Sequence, residues 1–299
     1  MLPLGNTAAE TCSYGRNGRW TVPDAPHFIA VAHTLNHRRS ECVIAGMILL
    51  LAVCGWIVDG DDGAHRAVKN GTPLPDDLAV PPDVILRQLG ARLLRPAEMP
   101  ALFDMLRDIC RRAGLLRLPD LYYLPVAGAM NAYALGGPRR SAITLTDGLL
   151  RGMTPDEIAG ILAHEIAHIC NGDACAMTWA STLQRAIALT ALTSLAALQR
   201  CDGVTAAPLA ALLSSASAIG QLLYLALSRI RELDADTTAL EFIDDPQALV
   251  SALHKLERHH NAAHNMAALW SNDGPLELLR SHPATWRRVG NLRRLAFSA

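Results

Sequence analysis

The most apolar stretch of the chain, residues 42–58, reads CVIAGMILLLAVCGWIV, 17 residues without a charge. That length is at the short end of what crosses a bilayer as a helix. Arg38, Arg39 and Glu41 precede it, Asp59, Asp61 and Asp62 follow, and Trp56 stands where an interfacial aromatic belongs. The pattern predicts a transmembrane helix over 41–59, its basic end in the cytoplasm and its acidic end outside. Residues 1–40 precede it as a polar segment whose Gly, Pro and Thr content predicts disorder, with no signal peptide. A second uncharged region covers 204–228, and the shorter apolar run 186–198 lies before it, with Arg185 at its edge. Together they predict a helical hairpin over 176–227, broken at Cys201-Asp202-Gly203. It either inserts into the membrane or packs as a pair of core helices.

Between these regions the pattern changes to that of a water-facing domain. Residues 60–95 begin as an acidic, then Pro- and Gly-rich linker. Leu102, Met105, Leu106 and Ile109 share one face of an amphipathic helix over 96–114. Three short strands are predicted at 121–125, 130–135 and 142–146, with Gly136-Gly137-Pro138 turning between the last two. Their order suggests a small antiparallel sheet. Thr154-Pro155-Asp156-Glu157 is a capping box with proline at the first helical position, so a helix starts there. It runs to about Cys170 and ends at Asn171-Gly172-Asp173.

Composition narrows the function classes. Hydrophobic residues make up 51% and charged residues 18%, which places part of the chain in lipid. A net charge of −1 gives no general attraction to nucleic acid, and aromatics at 5% offer no base-stacking surface. The seven cysteines are odd in number and irregularly spaced, which argues against a disulfide framework or a cysteine zinc site.

The capped helix carries the chemistry. His164-Glu165-Ile166-Ala167-His168 is a His-Glu-x-x-His motif (HExxH), and its two histidines lie one turn apart on one face. Two imidazoles so placed can reach one Zn²⁺. Glu165 sits beside the metal and can act as general base toward water that the metal activates. The rest of the helix is apolar, where unpaired polar groups are costly. Downstream, Glu232 and Asp236 are again four apart. Glu232 can be the third ligand, and Asp236 can accept the free N–H of a ligating histidine. Both residues also read as the start of a solvated charged helix. His254, His259, His260 and His264 read as a polar helix end rather than a second metal site.

These segments, in this order, resemble the HtpX-like membrane zinc metalloproteases, relatives of the CAAX prenyl proteases. The resemblance covers 96–299 and includes Asn131-Ala132-Tyr133-Ala134, the run 143–150, the helix from Glu157 to Asp173, and Ser228-Arg229 with Glu232, Ala235 and Asp236. Ser281-His282-Pro283 with Arg287 or Arg288 completes it. It implies a predominantly helical α+β, zincin-like metalloprotease domain with a small antiparallel sheet, plus one or more transmembrane helices. The catalytic parts would be 96–175 and 228–299. It implies one Zn²⁺ per chain at His164, His168 and Glu232, with Glu165 as base and Asp236 behind a ligand. His282 would stabilise the oxyanion. Asn131, Ala132, Tyr133 and Ala134 would form an edge strand to which an extended substrate adds. The partners expected are protein or peptide substrates and membrane lipid, the place a bacterial cell membrane, and the role membrane protein quality control. Family members usually have two N-terminal spans. One span would leave the catalytic domain outside, and two would return it to the cytoplasm. The rival readings are an inactive adaptor on the same fold, a zinc hydrolase of another bond class, and a membrane scaffold or transporter.

Overall fold

A computed structural model describes residues 13–14, 20–21, 25–71, 81–198, 206–268 and 283–297. The chain order is β1 (Ser13–Tyr14), β2 (Trp20–Thr21), α1 (Ala25–Gly71), α2 (Pro82–Gln88), β3 (Arg92–Leu93) and α3 (Pro100–Arg112). Then come β4 (Asp120–Leu124), β5 (Ala132–Gly137), β6 (Arg140–Thr146), α4 (Asp147–Gly152) and α5 (Pro155–Cys170). The long helices α6 (Asp173–Leu198) and α7 (Ala206–Ala239) follow, then α8 (Pro246–Ala268) and α9 (Thr285–Phe297).

The predicted sheet is present, but it is mixed rather than antiparallel. Its order is β3-β4-β6-β5, with β4 and β6 parallel and the other two pairs antiparallel. β4 and β5 follow one another in the chain but are not neighbours in the sheet. Instead β6 inserts between them. Every residue of β6 after Arg140 is buried, so the strand with most to hide takes the centre. β5 is left at the outer edge, packed on α5.

The N-terminal helix differs from expectation at both ends. It is helical from Ala25, inside the segment expected to be disordered. His33, Asn36 and Ser40 spend their polar groups on Asp234 and on the helix itself, which anchors those turns. At the other end the expected linker is helical to Gly71. The helical geometry breaks at Asp59 and Gly60, the latter at φ +56. Glycine accepts that left-handed conformation without strain. The chain then doubles back. A Cβ on Gly55 would lie 2.4 Å from the Gly63 carbonyl oxygen, and one on Gly71 would lie 2.5 Å from the Leu51 side chain. Small residues thus bring the two arms into backbone contact, as they do between membrane helices. Arg66 pairs with Asp59 across the turn.

Two cores result. Met47, Leu51, Cys54, Leu183, Ile187, Leu213 and Leu227 make one, between α1, α6 and α7. Sheet, α3, α5, α8 and α9 make the other. α7 belongs to both, because its Ala235 and Ala239 lie in the second core. Among the described residues, two helices, within 30–71 and 207–239, are long and apolar enough to cross a membrane. Leu49, Trp56, Leu189, Leu192, Ile219 and Leu222 face outward from this bundle. Such an apolar surface calls for a covering phase.

Candidate active site

α5 forms as its sequence dictates. The Thr154 hydroxyl accepts from Glu157 N, and the Glu157 carboxylate accepts from Thr154 N. Ser251 and Lys255 of α8 also bond Glu157, which fixes the helix start from outside. Burial works against the Glu157 anion, but Lys255, Ser251 and the Thr154 N–H outweigh it and hold its pKa down at about 2. Further along, His164 and Glu165 are buried, whereas the His168 side chain keeps 18% exposure and marks the open side.

The two imidazoles converge. Nε2 of His164 and Nε2 of His168 are 3.0 Å apart, with the rings edge to face. α7 brings Glu232 to the same point, its oxygens 3.6 Å and 3.7 Å from the two nitrogens. One ligand atom from each of the three lies within 4.8 Å of the others. The remote nitrogens are also engaged. His164 Nδ1 lies 3.1 Å from Asp236 Oδ1, and His168 Nδ1 lies 2.5 Å from Asp173 Oδ2. In the tautomer in which each carboxylate accepts a proton from Nδ1, the lone pair is left on Nε2. Two lone pairs then face each other beside a carboxylate. Two imidazole nitrogens and a carboxylate converging on one point are a donor set that fits a divalent metal. Burial opposes a charge on His164, but Asp236 and Glu232 outweigh it and raise the ring's affinity for a positive partner.

The carboxylates are themselves held. Arg288 of α9 donates to Asp236 from Nε at 2.7 Å and from Nη2 at 2.6 Å, and its Nη1 lies 3.2 Å from Glu232. Arg231 donates to Asp173 from Nε, and from Nη2 to the Asn171 carbonyl at 3.0 Å.

The structure therefore brings His164, His168, Glu232 and Asp236 together, with Glu165 next to the first. Asn131, Ala132, Tyr133 and Ala134 lie at the start of β5. There Asn131 exchanges bonds with Thr146 and turns its own carboxamide onto Ala132 N at 3.0 Å. Tyr133 is exposed. His282 lies outside the described residues. Of the histidine cluster, His259 donates from Nε2 to the Gly128 carbonyl at 3.0 Å. Sequence reasoning missed Asp173 and Arg231. Asp173 read as a helix stop, but Gly172 at φ +68 reverses the chain and returns Asp173 to His168. Arg288 had been singled out only as one of two arginines in the C-terminal resemblance.

Comparison with known proteins places this geometry. The pattern of peptidase family M48 matches residues 96–296. A Protease HtpX homolog of Acaryochloris marina (strain MBIC 11017) is 35% identical over 231 residues, 71% of this chain and 78% of that one. Another, of Paraburkholderia phytofirmans, is 31% identical over 279 residues, 87% of this chain and 97% of that one. The crystal structure of S. mikatae Ste24p shares the fold at a TM-score of 0.50 and 20% identity, over 88% of this chain and 66% of that one. The chain belongs to peptidase family M48 and is a metalloprotease.

Proposed function

We propose that the protein is a membrane-anchored zinc endopeptidase cleaving protein substrates at a centre formed by His164, His168 and Glu232. One observation carries this reading. Two Nε2 atoms face each other at 3.0 Å while a carboxylate holds each remote nitrogen. Two histidines and a glutamate suit Zn²⁺ and leave a further position for substrate or water. When bound, the metal supplies a Lewis acid for the scissile carbonyl and lowers the pKa of water. Glu165, buried beside the first ligand, takes the proton from the attacking water and hands it to the leaving amine. His282 is the group we assign to the oxyanion.

β5 is one of the two edge strands of the sheet and the one that packs on α5, so an extended peptide can pair with it and cross the site. Main-chain pairing tolerates many side chains. That tolerance, and a site at the end of an apolar bundle, suit quality control of membrane proteins. The same bundle favours a cytoplasmic catalytic domain. His33 near the start of α1, Asp173 at the start of α6 and Asp234 near the end of α7 meet at one end. The Asp59–Gly60 turn reverses α1 at the other. Arg38 and Arg39 thus share the end of the catalytic domain, and Asp59, Asp61 and Asp62 the opposite one, which by the positive-inside rule is external.

The test is casein cleavage by the full-length protein in detergent. Glu165→Gln should lose at least about a hundredfold in kcat, the scale of a positioned general base, with zinc still bound. Equal cleavage by variant and wild type would sink the mechanism. An inactive adaptor would show no cleavage in either.

A further inference from the structure

We infer that His33, in the N-terminal helix, is a positioning residue for the metal ligand His168. The inference rests on the zinc reading above. His33 lies well before residue 96, where the family match begins. His33 Nδ1 lies 2.9 Å from Asp234 Oδ1, and Asn36 Nδ2 donates to the same oxygen at 3.4 Å. The other oxygen of Asp234 lies 3.3 Å from Arg231 Nη1. Arg231 bonds Asp173, and Asp173 bonds His168 Nδ1 at 2.5 Å. Asp234, Arg231 and Asp173 are all buried.

The guanidinium of Arg231 is shared between two buried carboxylates. The Asn171 carbonyl takes a third bond from it, and the balance among these three partners sets its orientation. Without His33, Asp234 is left to the longer Asn36 bond and to Arg231, and it can draw Arg231 away from Asp173. Asp173 then no longer sets the His168 ring. A second route reaches the same place. His33 Nε2 lies 3.4 Å from Thr238 Oγ1, and Asn171 Nδ2 donates to that oxygen at 3.1 Å. Asn171 caps α5 three residues after His168, and its carbonyl accepts from Arg231. Both routes end at His168. His164 is served instead by Asp236 and Arg288, from α7 and α9. The first turns of α1 therefore complete one half of the metal centre, and docking of the membrane anchor is coupled to metal affinity.

The experiment measures zinc affinity of the full-length protein in detergent, by competition with a chromophoric chelator, alongside kcat and KM on casein. His33→Ala should weaken zinc binding by about tenfold, at the low end for an outer-shell partner, and lower kcat with KM little changed. His33→Asn, which returns an N–H donor near the Nδ1 position, should recover most of both. A purely structural His33 would lower the Tm of the metal-free protein and leave affinity untouched. Wild-type zinc affinity in His33→Ala overturns the inference, whatever its Tm. Should that variant fail to fold, Asp234→Asn keeps the shape of the side chain but removes the charge that joins His33 to Arg231, and an unchanged affinity there overturns it equally. A wild-type protein that binds no zinc would remove the metal reading itself, an outcome distinct from either.

Discussion

Arg288 grips Asp236 with two hydrogen bonds, Nε to Oδ2 at 2.7 Å and Nη2 to Oδ1 at 2.6 Å, both groups buried behind His164. A two-point contact of this kind needs a planar fork, and lysine has none. Arg288→Lys should keep the charge yet lose the alignment of Asp236, and zinc affinity should fall about tenfold. Arg288→Ala leaves a buried carboxylate without its counter-charge and should cost about 3–5 kcal/mol of stability. Thermal unfolding in detergent and chelator competition separate the two effects. Equal affinity for Lys and Arg at this position would contradict the role given to the fork.

Metal removal should be felt by the fold as well as the reaction. The proposed ligands come from α5 and α7, and α7 continues into the bundle core, so one bound ion would link the two cores. A ligand that binds only the native state raises stability by mass action. Chelator should therefore lower the Tm of the wild type. Glu232→Ala should start near that lower value and barely respond to chelator. A wild-type Tm that ignores chelator would count against the linkage.

The helical part of this fold could be read locally, and the site only in part. Thr154 and Glu157 announce α5 because a capping box is complete within four residues. The convergence of His164 and His168 was legible because helix geometry fixes their spacing. Asp173 could not be assigned, since its partner is reached through a chain reversal at Gly172 rather than by helical periodicity. The central place of β6 is a tertiary outcome, decided by which strand buries most. The fold-back at Asp59–Gly60 was hidden for a related reason. Acidic residues and glycines look like a linker until Gly55 and Gly63 are seen packing face to face.

That close approach makes its own prediction. A side chain at Gly55 meets the Gly63 backbone at 2.4 Å, and one at Gly63 meets the Gly55 backbone at 2.3 Å. Neither neighbour is a flexible side-chain tip, so the arms must separate. Gly63→Val should lower Tm in detergent by several degrees, in line with an overpacking penalty of about 1–3 kcal/mol. Zinc affinity should stay at wild type, because the proposed metal centre lies at the other end of the bundle. A loss of affinity with no change in Tm would contradict this division.

Glu157 gives the clearest pH dependence. Its carboxylate accepts from Thr154 N at 2.8 Å, Ser251 Oγ at 2.6 Å and Lys255 Nζ at 2.6 Å, and its pKa is held at about 2. In the unfolded chain a glutamate titrates near 4.3. The folded value is the lower one, so the unfolded state takes up a proton first as pH falls. The stabilisation is therefore complete above about pH 5 and is lost between there and about pH 2. Its full size is at most about 3 kcal/mol, from the span between the two pKa values. Other acidic groups titrate in the same window, and acid also strips metal from histidines. Both effects are shared by a Glu157→Gln variant, so the difference between variant and wild type isolates this carboxylate. Measured on metal-free protein, Glu157→Gln should be less stable at pH 7 and the gap should close steadily below pH 5. A gap that stays constant down to pH 3 would mean that the helix cap, rather than the charge on Glu157, accounts for the loss.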